Sequence, residues 1–200
     1  MAKLESSLKN MILSLSIISL VSSALLAGVY TITKEPIELA QIKKQADAIK
    51  EVLPETTDLI EQEVEIKLEG RDIPFYIYPA RENGELIGAA IKTYSNEGYA
   101  GMIEVMVGIN NRGEIFNYTI LAASETPGLG SKIAQWFKAD NETQTIIGKS
   151  PENTNFTVSK DGGDIDAITA STISSRAFLS SIRDAYQAYK TYEQNIISHE

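Results

Sequence analysis

No charged residue falls between Lys9 and Lys34, and the stretch 11–32 inside that gap is dominated by Leu, Ile, Val, Ala and Ser. Wound as a helix at about 1.5 Å per residue, a run of this length reaches roughly 33 Å, enough to cross a hydrocarbon layer about 30 Å thick. The run is longer than the apolar core of a secretory signal, and no small-x-small cleavage site comes after it. The chain has no Cys to carry a lipid. A single transmembrane helix over 11–32 is therefore expected. Lys3 and Lys9 against Glu5 bias residues 1–10 toward the cytoplasm, which places the rest of the chain beyond the helix outside it.

Composition narrows the chemistry. The 200 residues include no Cys and one His, His199, so thiolate-held iron–sulfur clusters, disulfides, Cys or His zinc sites and His-ligated haem are excluded or disfavoured within this chain. If electrons pass through it, an organic cofactor has to carry them. A formal net charge of −9 and the lack of a basic patch make nucleic acid and anionic lipid poor partners.

After the apolar run, Thr33 supplies a cap and Pro36 an early-turn proline. Leu39, Ile42, Ala46, Ile49 and Leu53 then recur at helical spacing up to Pro54, predicting an amphipathic juxtamembrane helix over 33–54. From Glu63 the period changes to two. Strands are expected over 64–68, 75–78, 86–94, 102–109, 114–122 and 156–159, with tight turns at Asn83-Gly84 and Asn110-Asn111-Arg112-Gly113. With a helix after Gly130 and another after residue 171, the fold class is α+β. It comprises a membrane helix, then a mostly antiparallel sheet with flanking helices, forming one domain over 55–200.

Chemistry concentrates in 161–178. Asp161-Gly162-Gly163-Asp164 marks a turn, and Ile173, Ala177, Ser181 and Ala185 recur at helical spacing, so Thr169, Ser171, Thr172, Ser174 and Ser175 cluster where a helix begins. That end carries unpaired N–H groups and the positive pole of the dipole, which favour an anion such as a phosphate. Capping accounts for one such hydroxyl, but Ser175 three residues after Thr172 completes no capping box. Ala170 and Ser171 are small enough to let a bulky group approach the backbone.

Thr169-Ala170-Ser171-Thr172-Ile173-Ser174-Ser175 resembles the Ser/Thr-Gly-Ala-Thr-x-Ser/Thr flavinylation motif of the FMN-binding domain found in the G subunit of Rnf complexes and the C subunit of sodium-pumping NADH:quinone reductases. About forty residues earlier, Glu125-Thr126-Pro127-Gly128-Leu129-Gly130 is similar to the family's Glu-Thr-Pro-Gly-Leu-Gly signature, and Gly98-Tyr99-Ala100-Gly101 to its Gly-Tyr-x-Gly element. The resemblance spans nearly the whole chain. It implies FMN joined by a phosphoester to Thr172, with Thr169, Ala170, Ser171, Glu125, Thr126, Gly128, Leu129 and Gly130 around the cofactor. It assigns no catalytic and no metal-binding residue. Ala170 stands where the family most often has Gly, which alters the turn if that position needs a positive φ.

The resemblance further implies an electron carrier in a bacterial cytoplasmic membrane, passing electrons between ferredoxin and NAD while neighbouring iron–sulfur and flavin subunits move ions. A magnesium-dependent flavin transferase would load the FMN from FAD. Such a chain is a redox carrier within a complex and not a complete enzyme. The C subunit of the quinone reductase and a flavin-free membrane-tethered assembly module are the other readings, the chain's shortness favouring the Rnf type.

Other motifs have plainer accounts. Asp164 and Asp166 read as turn residues, Trp136 and Phe137 as core, and Tyr186, Tyr189 and Tyr192 as a packed helix stripe. Three Asn-x-Thr triplets, at Asn117, Asn141 and Asn155, are short enough to arise by chance.

Overall fold

The computed structural model describes residues 7–53, 59–60 and 63–197. Contacts divide the chain into two units, Met1–Lys44 and Gln45–Glu200. The helix end expected at Pro54 lies outside the described residues, as does His199.

Helix α1 runs Leu8–Val52 with Pro36 inside it, so the expected separation of a membrane helix from a juxtamembrane helix at residue 33 does not occur. The hydroxyls report the same continuity. Thr33 Oγ1 donates back to the Val29 carbonyl at 2.8 Å, and Thr31 Oγ1 to that of Ala27 at 2.8 Å, the pattern of threonines inside a helix and not of an N-cap. Pro36 removes one ladder donor, a cost that does not end the helix. In the first unit, α1 is long and apolar enough to cross a membrane by length and composition, and its Leu, Ile and Val side chains are exposed.

The second unit is a sheet between two helices. Its strands are β1 (Leu59–Ile60), β2 (Val64–Ile66), β3 (Phe75–Glu82), β4 (Glu85–Gly98), β5 (Gly101–Asn110) and β6 (Ile115–Ala123). The order is β1-β3-β4-β5-β6, with β2 also on β3, and every pairing is antiparallel. Asn83 and Gly84 both take positive φ, 50° and 87°, the geometry of a two-residue hairpin turn.

Alternation along the strands sorts side chains to two cores. Phe75, Ile77, Ile91, Val105, Val107, Ile109 and Tyr118 pack with α3 (Thr172–Ile197) through Phe178, Leu179, Ile182, Tyr186 and Tyr189. On the opposite face, Tyr78, Ala80, Ala90, Met106 and Leu121 meet the end of α1 through Ala48, Ile49, Val52 and Leu53. Close approach there depends on Gly108, where a Cβ would run into the Val52 backbone, its carbonyl carbon 2.7 Å away.

The tyrosine stripe is packing, as the sequence implies, and Phe137 stacks on Phe178 at 4.7 Å between ring centroids. The strand expected over 156–159 is absent. Val158 makes one parallel bridge to Ile165, and Ser159–Asp161 then turns as a single 3₁₀ loop because Gly162, at φ 82°, and Gly163 reverse the chain at once. Asp164 and Asp166 serve that turn. The Asn155 amide donates to Asp164 at 2.7 Å and Ser159 Oγ to Asp166 at 2.9 Å. Hydrogen bonds from Thr143 and Ser159 hold the Asp166 carboxyl below its ordinary range.

Candidate functional site

Three segments converge on one cleft of about 570 Å³: the β4–β5 turn through Tyr99, the loop after β6 through Glu125, Thr126, Leu129 and Gly130, and the start of α3 through Ala170, Ser171, Thr172, Ile173 and Ser174. Both sequence motifs therefore reach the same space. Of the expected residues, Thr169 and Gly128 are not part of its lining. Tyr99, Ile173 and Ser174 are lining residues that motif matching left out of the site, though Tyr99 sits within the quoted Gly-Tyr-Ala-Gly turn.

Each segment is held by its own chemistry. The Ser175 amide donates to the Ser171 carbonyl at 3.0 Å, the first i→i−4 bond of α3, so Ser171 is the N-cap and Thr172 the first helical residue. The amides of Thr172, Ile173 and Ser174 precede that ladder and make the helix end a ready anion site. Ser175 Oγ locks the turn, accepting from the Ile168 amide and donating to the Ser171 carbonyl, both at 3.0 Å. Among the described residues the Thr172 hydroxyl makes no hydrogen bond, and it is half-buried at the cleft wall.

Ala170 takes φ 63°, a left-handed conformation that an L side chain adopts at a cost. This is the position where the resembling motif has Gly. Ala170 is exposed, so no packing opposes the change back. Ala170→Gly is expected to stabilise the chain by about 0.5–1 kcal/mol, relief of strain exceeding the added entropy of the unfolded chain, measurable as a higher denaturant midpoint. An unchanged or lower midpoint would mean the alanine is not strained.

The loop 124–131 folds on itself. The Thr126 carbonyl accepts from the Leu129 and Ser131 amides at 3.1 and 3.2 Å, and the Gly128 amide donates to Ser131 Oγ at 2.9 Å. Three N–H groups of the loop, those of Gly128, Leu129 and Ser131, are therefore used internally. Gly128 is needed for its φ of 75°, whereas Gly130 is needed for space, since a Cβ there would lie 2.7 Å from Ser174 Oγ.

The short helix α2 (Ile133–Trp136) anchors the loop's far end, the Tyr118 hydroxyl donating to the Ile133 carbonyl at 2.7 Å. Burial pushes that phenol up, so it stays a donor at ordinary pH. Trp136 is half-buried, and its indole N–H donates to the Asp166 carbonyl at 2.9 Å, linking α2 to the segment before Thr169. One turn into α3, Arg176 holds Asp161 through two bonds of 2.6 and 2.8 Å, which keeps the Asp161 carboxyl below its usual range.

Polar groups form the inner part of the cleft and apolar ones its rim. Glu125 is 7% exposed, whereas Tyr99, Ile173 and Leu129 are 70%, 48% and 41% exposed. A planar apolar ring system with a phosphate tail would match this division, with Tyr99, Leu129 and Ile173 available to the ring and the helix start to the phosphate.

Residues 98–187, from the β4–β5 turn into α3, match the FMN-binding domain family. The G subunit of the ion-translocating oxidoreductase complex of Aliivibrio fischeri is 30% identical over 198 residues, covering 94% of this chain and 93% of that one. The chain belongs to that G-subunit family. The G subunit of Shewanella piezotolerans is 30% identical over 97% of this chain and 94% of its own. That of Shewanella baltica is 35% identical over 64% of this chain and 61% of its own. The matched FMN-binding region contains all three cleft-forming segments, and the residues present fit the cofactor: small Ala170 and Ser171 leave room, and the helix start offers unpaired amides.

Proposed function

We propose that this member of the G-subunit family is an electron carrier of a membrane-bound, ion-translocating oxidoreductase complex, holding FMN covalently through the Thr172 hydroxyl. The observation that carries the reading is the convergence of the Glu125–Gly130 loop and the Thr169–Thr172 tetrad on one cleft, with Thr172 on its wall. Bound FMN would supply one- and two-electron chemistry.

The chain's residues have distinct tasks. Thr172 Oγ1 is the nucleophile toward the phosphorus of a flavin dinucleotide. The new O–P bond replaces one bond of the pyrophosphate, AMP leaves with that electron pair, and the hydroxyl proton passes to a base. None of the cleft residues is a His, and the base is assigned to a separate flavin transferase or to water. The α3 amides hold the phosphate, and Tyr99, Leu129 and Ile173 shield the ring face. Membrane, iron–sulfur and flavin subunits would exchange electrons with it, between ferredoxin and NAD.

Co-expression with a flavin transferase tests the reading: the intact chain gains the mass of one FMN and stays fluorescent after denaturation. A chain of unmodified mass would overturn the covalent link.

The domain after α1's apolar run is proposed to lie outside the cytoplasm, the N-terminus inside. Single cysteines placed at exposed positions such as Asn153 or Lys160 of this Cys-free chain are expected to react with a membrane-impermeant thiol reagent in intact spheroplasts. Reaction only after lysis would reverse the orientation.

A further inference from the structure

Glu125 sits where the three cleft segments meet. Its Oε2 accepts from Ser174 Oγ at 2.8 Å, on the first turn of α3, and its Oε1 takes the longer Ala100 amide bond at 3.4 Å, in the β4–β5 turn. Its own backbone begins the loop that ends at Gly130. Neighbours are cut to fit it: a Cβ on Gly98 would lie 2.8 Å from Oε1, and one on Gly130 would collide with Oε2.

A buried acid normally has a cation, and Asp184 has one in Arg71. Among the described residues Glu125 forms no ion pair. Its carboxylate faces the first turn of α3, the positive pole of a 26-residue helix. Both of its hydrogen bonds go to protein donors, one on each flanking segment.

We propose that Glu125 is the positioning residue of the FMN pocket. Its two oxygens tie the turn bearing Thr172 to the turn bearing Tyr99, and so set the spacing between the attachment hydroxyl and the aromatic wall. The inference rests on reading the cleft as the FMN site. Ser174→Ala and Gly98→Ala would disturb the same tie from its other ends.

The test uses the full chain co-expressed with a flavin transferase, with FMN incorporation read by intact mass and the bound flavin by visible circular dichroism. Glu125→Ala strips both donors of their acceptor and is expected to lower loading roughly tenfold or more, with an altered dichroism in the fraction that loads. Glu125→Gln keeps the reach, offering an oxygen to Ala100 and an N–H to a rotated Ser174 hydroxyl, and is expected to recover much of the loading and the original dichroism. A contribution to stability alone would lower the amount of folded protein and leave the dichroism of its loaded fraction unchanged, which overturns the proposal.

Gly130→Ala pushes on Oε2 as well as on Ser174 Oγ, so its effect should shrink, without vanishing, once Glu125 is alanine; losses that simply multiply also overturn the tie. Should Glu125→Ala fail to fold, Glu125→Gln is compared with Glu125→Asp, whose oxygens are drawn back by one methylene. Equal loading of those two overturns the proposal. A wild-type chain that takes up no FMN overturns the functional reading instead. The Glu125–Gly130 coupling, measured then in denaturant midpoints of the unloaded chain, supports the tie if non-additive and overturns it if additive.

Discussion

Thr172→Ala is expected to give a folded, anchored chain that carries no covalent FMN and passes no electrons. Thr172 is the first helical residue of α3 and not its cap, which is Ser171, so the substitution removes no capping bond. Alanine is also the better helix former, and the change should stay within about 0.5 kcal/mol of a total stability near 5–15. The loss is thus chemical: the proposed phosphoester has lost its oxygen. Intact mass and fluorescence of the denatured band measure it. Thr169→Ala, outside the cleft lining, should reduce loading less. Retention of FMN by Thr172→Ala, or peptide fragmentation that finds it on Thr169, Ser171 or Ser174, would show that the motif assignment has slipped.

Gly108→Val is expected to have the largest effect on stability. A Cβ at Gly108 meets the backbone of Val52, and a peptide carbonyl cannot rotate aside as a side-chain tip can. Overpacking in a core costs about 1–3 kcal/mol when side chains yield, so a clash with backbone should reach roughly 3 kcal/mol or more. It would pry the Ala48, Ile49, Val52 and Leu53 face off Tyr78, Ala80, Met106 and Leu121. Chemical denaturation measures the loss. A midpoint close to that of the wild type would show that the end of α1 does not pack on the sheet as described.

Much of this was legible in the residues. Period-two alternation gave β3 to β6 to within a few positions, since one strand face meets α3 and the other the end of α1 and both must be apolar at fixed register. Asn83-Gly84 named its own turn. Of the site, the two motifs were readable one by one, and the positive φ that Gly usually serves at position 170 is present with Ala in its place.

The illegible part depends on partners that residue type does not name, some near in sequence and some far. Thr33-Pro36 has the local signature of a helix start, yet the Thr33 hydroxyl bonds back to Val29 within a continuous helix, and residue type does not reveal that choice. Residues 156–159 have strand composition but no neighbouring strand to complete the ladder. Glu125 reads in the sequence as a residue around the cofactor, and it does line the cleft; its ties to the other two segments are not legible there. Its burial arises from Ser174 and Ala100, 49 and 25 residues away in sequence. Ser174 itself carried one signal, a small hydroxyl two residues past Thr172 in a stretch with more hydroxyls than a cap requires.

The boundary of the two units, between Lys44 and Gln45, falls inside α1 and not in a loop. For anyone seeking a water-soluble form of the FMN domain, the obvious cut at Pro54 is therefore the wrong one. It would discard Val52 and Leu53, 0% and 4% exposed, and leave a greasy sheet face open to self-association. A cut near residue 44 sheds the lipid-soluble stretch while the sheet keeps its cover.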